Sequence, residues 1–205
     1  MLHPLVGALV VGVATWFAVR GLPAWEEDLF EVLNGGPRWL EPLLWLPMQL
    51  GSLVGPPVVA AAAWWWRRNW RLSVGVLATG VVAWQLAKAV KALVERGRPA
   101  ALLDDVARYG GTPTDGLGFV SGHTSVAFAM AAVASPYLGR RGRALAYAAA
   151  LVVGLARIQV SAHLPLDVVG GAALGYTVGW CWTLLVGRPA PSEVPTTHPA
   201  PDPAR

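Results

Sequence analysis

The chain is 205 residues long, 55% hydrophobic and only 14% charged, with a formal net charge of +4. That balance is too apolar for an ordinary soluble domain and reads as a membrane protein. The single Cys181 excludes a disulfide framework and a cysteine zinc cluster, and the positive charge gathers in short clusters between apolar runs, which is a topology signal and not a nucleic-acid footprint.

A spanning helix needs roughly 20 mostly apolar residues. The first such run covers residues 5–19. Only His3 precedes it as a polar side chain, with no basic lead and no small-residue cleavage site, so a retained span is expected rather than a secretory signal. Residues 23–36 are acidic on one side and carry Trp25, Leu29, Phe30 and Leu33 on the other. This reads as an amphipathic helix lying in the interface and stopping at Asn34, Gly35 and Gly36. The second apolar run, 40–66, is interrupted by Pro47, Gly51, Gly55, Pro56 and Pro57, and is either one kinked helix or two half-helices. It ends in Trp64, Trp65 and Trp66, followed by Arg67, Arg68 and Arg71; aromatic anchors beside a basic cluster mark a cytoplasmic interface.

The third run is 72–94, with Lys88 and Lys91 near its far end and Arg96 and Arg98 just beyond. A polar, glycine-rich connection fills 99–120. The fourth run, 123–138, leads into a second basic cluster of Arg140, Arg141 and Arg143; the fifth is 144–160 and the sixth 164–186. Residues 188–205, rich in Pro, Ala, Ser and Thr, are expected to be disordered. The expected organisation is therefore an all-α, six-span domain over 1–187 with a tail. Six spans put both termini on one side, and the two arginine clusters place that side in the cytoplasm. The acidic 26–31 segment, the 99–120 connection and the turn at 161–165 then face outside.

That assignment uses charge bias alone, yet it brings the ionisable residues of three separate stretches to the outer face. One stretch holds Lys91 and Arg98-Pro99, the second Ser121-Gly122-His123, and the third Arg157, His163 and Asp167. Ionisable groups at a membrane edge are costly to place and mark a functional site by default; the competing reading of the third stretch is a structural ion pair between helices. His163 and Asp167 are four residues apart, so on a helix they share a face. A carboxylate there holds one imidazole nitrogen and leaves the other free. Lys91, Arg98 and Arg157 offer three cations to a phosphate, arginine with two parallel hydrogen bonds. Ser121 and Gly122 stand at the expected start of the fourth span, where free backbone N–H groups and the helix dipole favour an anion. With these donors no metal or other cofactor is needed for the charge work. Lys88 reads as a snorkelling side chain or a spare phosphate contact, Arg96 as a solvated or headgroup contact, and His3 and His198 as inert. Gly171, Gly175 and Gly179 form a small-residue stripe in the sixth span, suited to packing within the molecule or in a dimer, with the former favoured; the oligomeric state is not legible.

Together the three stretches resemble the signature of the type 2 phosphatidic acid phosphatase superfamily, which also includes vanadium haloperoxidases. That signature is Lys, six residues, Arg-Pro; then Pro-Ser-Gly-His; then Ser-Arg, five residues, His, three residues, Asp. The chain departs from it at Val120, where Pro is usual, and at Ala156, where Ser is common. The resemblance implies a membrane lipid phosphatase. In it His163 attacks phosphorus to form a phosphohistidine, Asp167 orients His163, and His123 protonates the leaving oxygen and then activates water. Lys91, Arg98, Ser121, Gly122 and Arg157 bind the phosphate. Implied substrates are undecaprenyl or another polyprenyl diphosphate, phosphatidylglycerol phosphate and phosphatidate, in the outer leaflet of what reads as a prokaryotic cell membrane. A phosphotransferase using the same site, and a non-enzymatic protein that binds or transports anionic lipids, remain as alternatives.

Overall fold

The computed structural model describes residues 2–37, 39–104, 106, 112 and 115–187. The expected disordered tail, His198 within it, and part of the 99–120 connection lie outside the described residues. The elements run α1 (Leu2–Ala18), α2 (Ala24–Asn34), α3 (Leu40–Gln49), α4 (Gly55–Arg67), α5 (Trp70–Val94), α6 (Pro99–Leu102), α7 (Gly122–Ala134), a 3-10 turn (Ser135–Tyr137), α8 (Arg140–Gln159) and α9 (Pro165–Val186). The architecture is all-helical, as expected.

The boundaries follow from local chemistry. Asn69 caps α5 by accepting from the Leu72 amide at 3.0 Å. The second apolar run is two helices. Pro56 and Pro57, which lack an amide hydrogen, suit the first turn of a new helix and not the middle of a continuing one. Ser52 fills the gap between them, donating to the Gln49 carbonyl at 2.8 Å and accepting from the Val54 amide at 3.1 Å. Two helices, Trp70–Val94 and Pro165–Val186, are individually long and apolar enough to cross a membrane. At 25 residues, α5 reaches about 37 Å, against a hydrocarbon core of about 30 Å. The outside of the bundle is apolar: Trp65, Trp66, Leu93 and Leu185 are each at least three-quarters exposed. Such a surface suits lipid and not water.

The core is built around α7, which packs against α9, α5 and α8. The glycine stripe serves this packing. A Cβ on Gly171 would meet the Ser121 carbonyl oxygen at 2.6 Å, one on Gly175 would overlap the Ser125 carbonyl oxygen, and one on Gly179 would meet the Ala132 Cβ at 2.5 Å. The backbones of α7 and α9 therefore touch along three turns, and the start of each helix is held beside the start of the other. On the far side of α9, α1 packs antiparallel, and His3 stacks on Trp180 and reaches the Tyr176 hydroxyl, so this residue is seated in a contact and not a loose terminal group.

Chain direction puts the beginnings of α5 and α8, with their arginine clusters, at one end. The end of α5 and the beginnings of α7 and α9 lie at the other. The three motif stretches all sit at this second end, and α2 packs there against α8 and α9.

Candidate active site

Each motif residue is delivered by a helix end. Lys91 lies in the last turn of α5, Ser121 is the N-cap of α7, Arg157 lies in the last turn of α8, and Asp167 in the first turn of α9. The Ser121 hydroxyl accepts from the Thr124 hydroxyl at 2.9 Å, and the Ser121 amide donates to the Asp167 carbonyl at 2.8 Å. The second of these bonds stitches the α7 start to the α9 start.

His163 stands in the corner between α8 and α9. Its amide donates to the Arg157 carbonyl at 3.2 Å, and its Nδ1 is 3.3 Å from Asp167 Oδ2. The same carboxylate oxygen accepts from the Leu164 amide at 2.9 Å, and Oδ1 accepts from Arg96 Nη1 at 3.3 Å. An ionised carboxylate only accepts, so Nδ1 carries the imidazole proton and Nε2 keeps its lone pair. The ring is 3% exposed. Burial pushes its pKa well below the ordinary histidine value, and the nearby positive charges of Lys91, Arg157 and Arg98 push in the same direction. A hydrogen bond with the Gly118 backbone opposes them, and the result is a neutral imidazole.

Lys91, Arg157 and Arg98 all act electrostatically on the ring, and among the described residues none of them forms a salt bridge with a carboxylate. Lys91 Nζ donates to the carbonyls of Leu117 and Gly118, each at 2.7 Å, and so fastens the returning strand of the connection to α5. Arg98 Nη1 donates to the Ala162 carbonyl at 3.2 Å, while burial lowers its pKa and Asp167 opposes that effect. Arg157 Nη1 contacts Met48 Sδ at 3.7 Å. The Nε atoms of Arg98 and Arg157 are buried and have no hydrogen-bond partner among the described residues. His123, the second residue of α7, packs edge-on against Trp84, with ring centroids 5.8 Å apart, and lies within electrostatic reach of Arg157, His163, Arg98 and Lys91. All eight expected residues thus converge on one end of the bundle. Among the described residues no group of three or more His, Cys, Asp or Glu side chains is placed to hold a metal ion.

Two residues behave differently from expectation. Arg96, read as a solvated or headgroup contact, is 5% exposed and divides its guanidinium between Glu26 and Asp167. Glu26, read as part of an exposed acidic face, is fully buried against it. Both misreadings have one cause: α2 folds over the site, and its partner is seventy residues away in sequence. The departures from the signature turn out to be packing positions. Val120 is buried with Phe119 and Leu166, and Ala156 with Met48, Val160 and Ala162. Lys88 is exposed on α5, outside the cluster.

A model of the PAP2 superfamily matches residues 68–190, which include every motif residue. The fold is similar to that of the transmembrane PAP2-type phosphatidylglycerolphosphate phosphatase from Bacillus subtilis, with a TM-score of 0.72 and 21% identity, covering 91% of this chain and 96% of that one. It is also similar to LpxE from Aquifex aeolicus, with a TM-score of 0.70 and 25% identity, covering 77% of this chain and 93% of that one. No curated protein sequence matches the chain.

Proposed function

The chain belongs to the PAP2 superfamily, and from that premise we propose that it is a membrane lipid phosphatase whose nucleophile is His163. The observation that carries the proposal is the neutral imidazole of His163, backed by Asp167 and surrounded by Lys91, Arg98 and Arg157. The two buried Nε–H groups support it further. Unpaired buried donors are costly, and the oxygens of a phosphate are natural acceptors for them.

The proposed reaction has two steps. Nε2 of His163 attacks phosphorus, and the bond from phosphorus to the lipid oxygen breaks. His123 gives its proton to that oxygen, and the released group is a lipid alcohol, or a lipid monophosphate where the substrate is a diphosphate. Asp167 holds Nδ1–H and offsets the positive charge that develops on the ring. Water, giving a proton to His123, then attacks the phosphohistidine, the P–N bond breaks, and inorganic phosphate leaves. Lys91, Arg98, Arg157 and the amides at the start of α7 stabilise charge on the phosphoryl oxygens in both steps, so the mechanism needs no metal.

The substrate is a lipid phosphate or diphosphate; polyprenyl diphosphate, phosphatidylglycerol phosphate and phosphatidate all fit that chemistry. We assign the site to the outer face and both termini to the cytoplasm, in a six-span arrangement in which α3 and α4 together make the second span. The positions of Arg67, Arg68, Arg140 and Arg141 at the opposite end support this orientation. The hydrocarbon tail approaches sideways. An apolar groove of about 660 Å³, lined by Leu46, Pro47, Leu50, Val58, Ala149 and Val152, opens where α3 breaks into α4 beside α8. Neighbours of its lining residues in the chain reach the site: Met48 touches Arg157, and a Cβ on Gly51 would meet the His123 carbonyl oxygen at 2.5 Å.

The test is phosphate release from a panel of lipid phosphates in detergent with excess EDTA, comparing the wild type with His163→Ala. Release by the wild type alone is expected. An absolute requirement for added divalent metal would overturn the mechanism, and equal release by the variant would remove His163 as nucleophile.

A further inference from the structure

Glu26 lies outside all three motifs, yet both its carboxylate oxygens are engaged. Its Oε2 is 2.5 Å from Arg96 Nη2, and its Oε1 accepts from Arg96 Nη1 at 3.1 Å and from the Leu166 amide at 2.8 Å. Arg96 Nη1 also reaches Asp167 Oδ1 at 3.3 Å. The chain of contacts runs from α2 through Arg96 and Asp167 to the ring of His163, and all four side chains are buried.

Charge counting shows what Glu26 adds. Arg96 carries one positive charge, and Asp167 alone would cancel it. The imidazole would then face a neutral pair, with nothing to offset the positive charge that appears when its other nitrogen bonds phosphorus. With Glu26 present, the three buried groups carry a net charge of one negative. Glu26 takes the closer, two-pronged pairing with Arg96, and Asp167 retains charge for His163. At these separations and this burial the difference is not screened away by water.

We propose that Glu26, acting through Arg96, is a positioning residue for the nucleophile: it fixes the orientation of Asp167 and reserves that carboxylate's charge for His163. The proposal rests on the reading of His163 as nucleophile. The competing role is structural, since the Leu166 amide bond lets Glu26 act as a cap on α9. Glutamine distinguishes the two, because it keeps an oxygen for that amide and loses only the charge. The groups that face the triad are few. Asp167 is faced by Arg96, Lys91, Arg98, His163 and the Leu164 amide. His163 is faced by Asp167, Lys91, Arg157 and Arg98, with His123 nearby.

The experiment uses the full chain in detergent micelles with a short-chain phosphatidate as substrate. Glu26→Gln is expected to lower kcat about 10-fold to 100-fold with KM nearly unchanged, and to move the acidic limb of the kcat/KM profile to lower pH, because the ring has lost a negative charge. The double variant Glu26→Gln/Arg96→Gln restores the net negative charge. It is expected to be faster than Glu26→Gln alone and to return the limb toward the wild-type position. Wild-type kcat and pH profile in Glu26→Gln, or a double variant no faster than the single, would overturn the proposal. If Glu26→Gln does not survive purification, Arg96→Lys takes its place. Lysine keeps the charge and loses the fork, so kcat should fall with the limb unmoved, and an unchanged kcat would overturn the proposal. His163→Ala is run alongside: its inactivity with normal Glu26→Gln kinetics defeats only this inference, whereas wild-type activity in His163→Ala defeats the reading beneath it.

Discussion

His163 Nδ1 and Asp167 Oδ2 stand 3.3 Å apart across the corner where α8 gives way to α9. The carboxylate is held from behind by Arg96 and the Leu164 amide, so it cannot turn away without breaking two other bonds. Asp167→Asn keeps the shape and presents a group that no longer enforces the proton on Nδ1. Phosphate release is expected to fall roughly 10²-fold to 10⁴-fold, mostly in kcat. Steady-state kinetics on micellar lipid phosphate reads this directly, and a change confined to KM would contradict the orienting role.

The buried Nε–H groups of Arg98 and Arg157 have no hydrogen-bond partner among the described residues. Lysine at either position retains a charge and loses the planar fork. Arg157→Lys and Arg98→Lys are each expected to lower kcat/KM by roughly 10²-fold, and vanadate, as a phosphate mimic, should inhibit both variants more weakly than the wild type. Inhibition constants equal to the wild type would show that neither arginine meets the phosphoryl oxygens.

The buried ring of His163 has a consequence for stability. Its folded pKa lies well below the ordinary value of 6.5, because burial and then the neighbouring cations disfavour the charged form. Between the two values the unfolded chain binds a proton that the fold refuses, so stability rises with pH across that window. The contribution is fully present above about pH 6.5 and is lost progressively below it. Relative to His163→Asn, the wild type should therefore lose thermal midpoint in detergent on going from pH 7.5 to pH 5.5. An identical slope in the variant would assign the acid sensitivity to other groups.

The groove beside the α3–α4 break separates tail recognition from headgroup chemistry. Val152→Trp or Ala149→Trp fills it from the α8 side. Activity on a long-chain lipid phosphate should drop about 10-fold or more, through KM, while hydrolysis of a short water-soluble phosphate ester stays near the wild-type rate. Equal losses on both substrates would point to a displaced α8 and not to a blocked tail.

Gly175 sits where the α9 backbone touches the Ser125 carbonyl of α7. Gly175→Leu has nowhere to put its side chain without moving one helix, a cost of about 1–3 kcal/mol or more. Because those two helices bring Ser121, His123 and Asp167 together, activity and thermal midpoint should fall in step. Loss of activity with an unchanged midpoint would deny the packing role.

Much of this molecule is local in sequence and was readable there. Apolar runs of spanning length, proline and glycine breaks and arginine clusters depend on nearest neighbours, and they gave the helices to within a few residues. The three motif stretches are short, and their internal spacing fixes which side chains lie close along the chain: Lys91 with Arg98 between α5 and α6, Ser121 with His123 at the start of α7, and Arg157 with His163 and Asp167 where α8 gives way to α9. Chain direction then requires all of them to meet at one end of the bundle.

The tertiary structure decided what no window of sequence contains. Glu26 looks like any carboxylate on an amphipathic helix, and Arg96 like any basic residue at a span end. Their partnership exists because α2 folds back over α9, and burial turns two unremarkable charges into the support of Asp167. The same holds for the glycine stripe, whose partner is settled only by the contact with Ser121 and Ser125, and for Val120 and Ala156, whose surroundings make them packing residues. Spacing along the chain records which groups are near one another on a helix; the cost of burying a charge, and hence the identity of its counter-ion, is set by helices that meet only after folding.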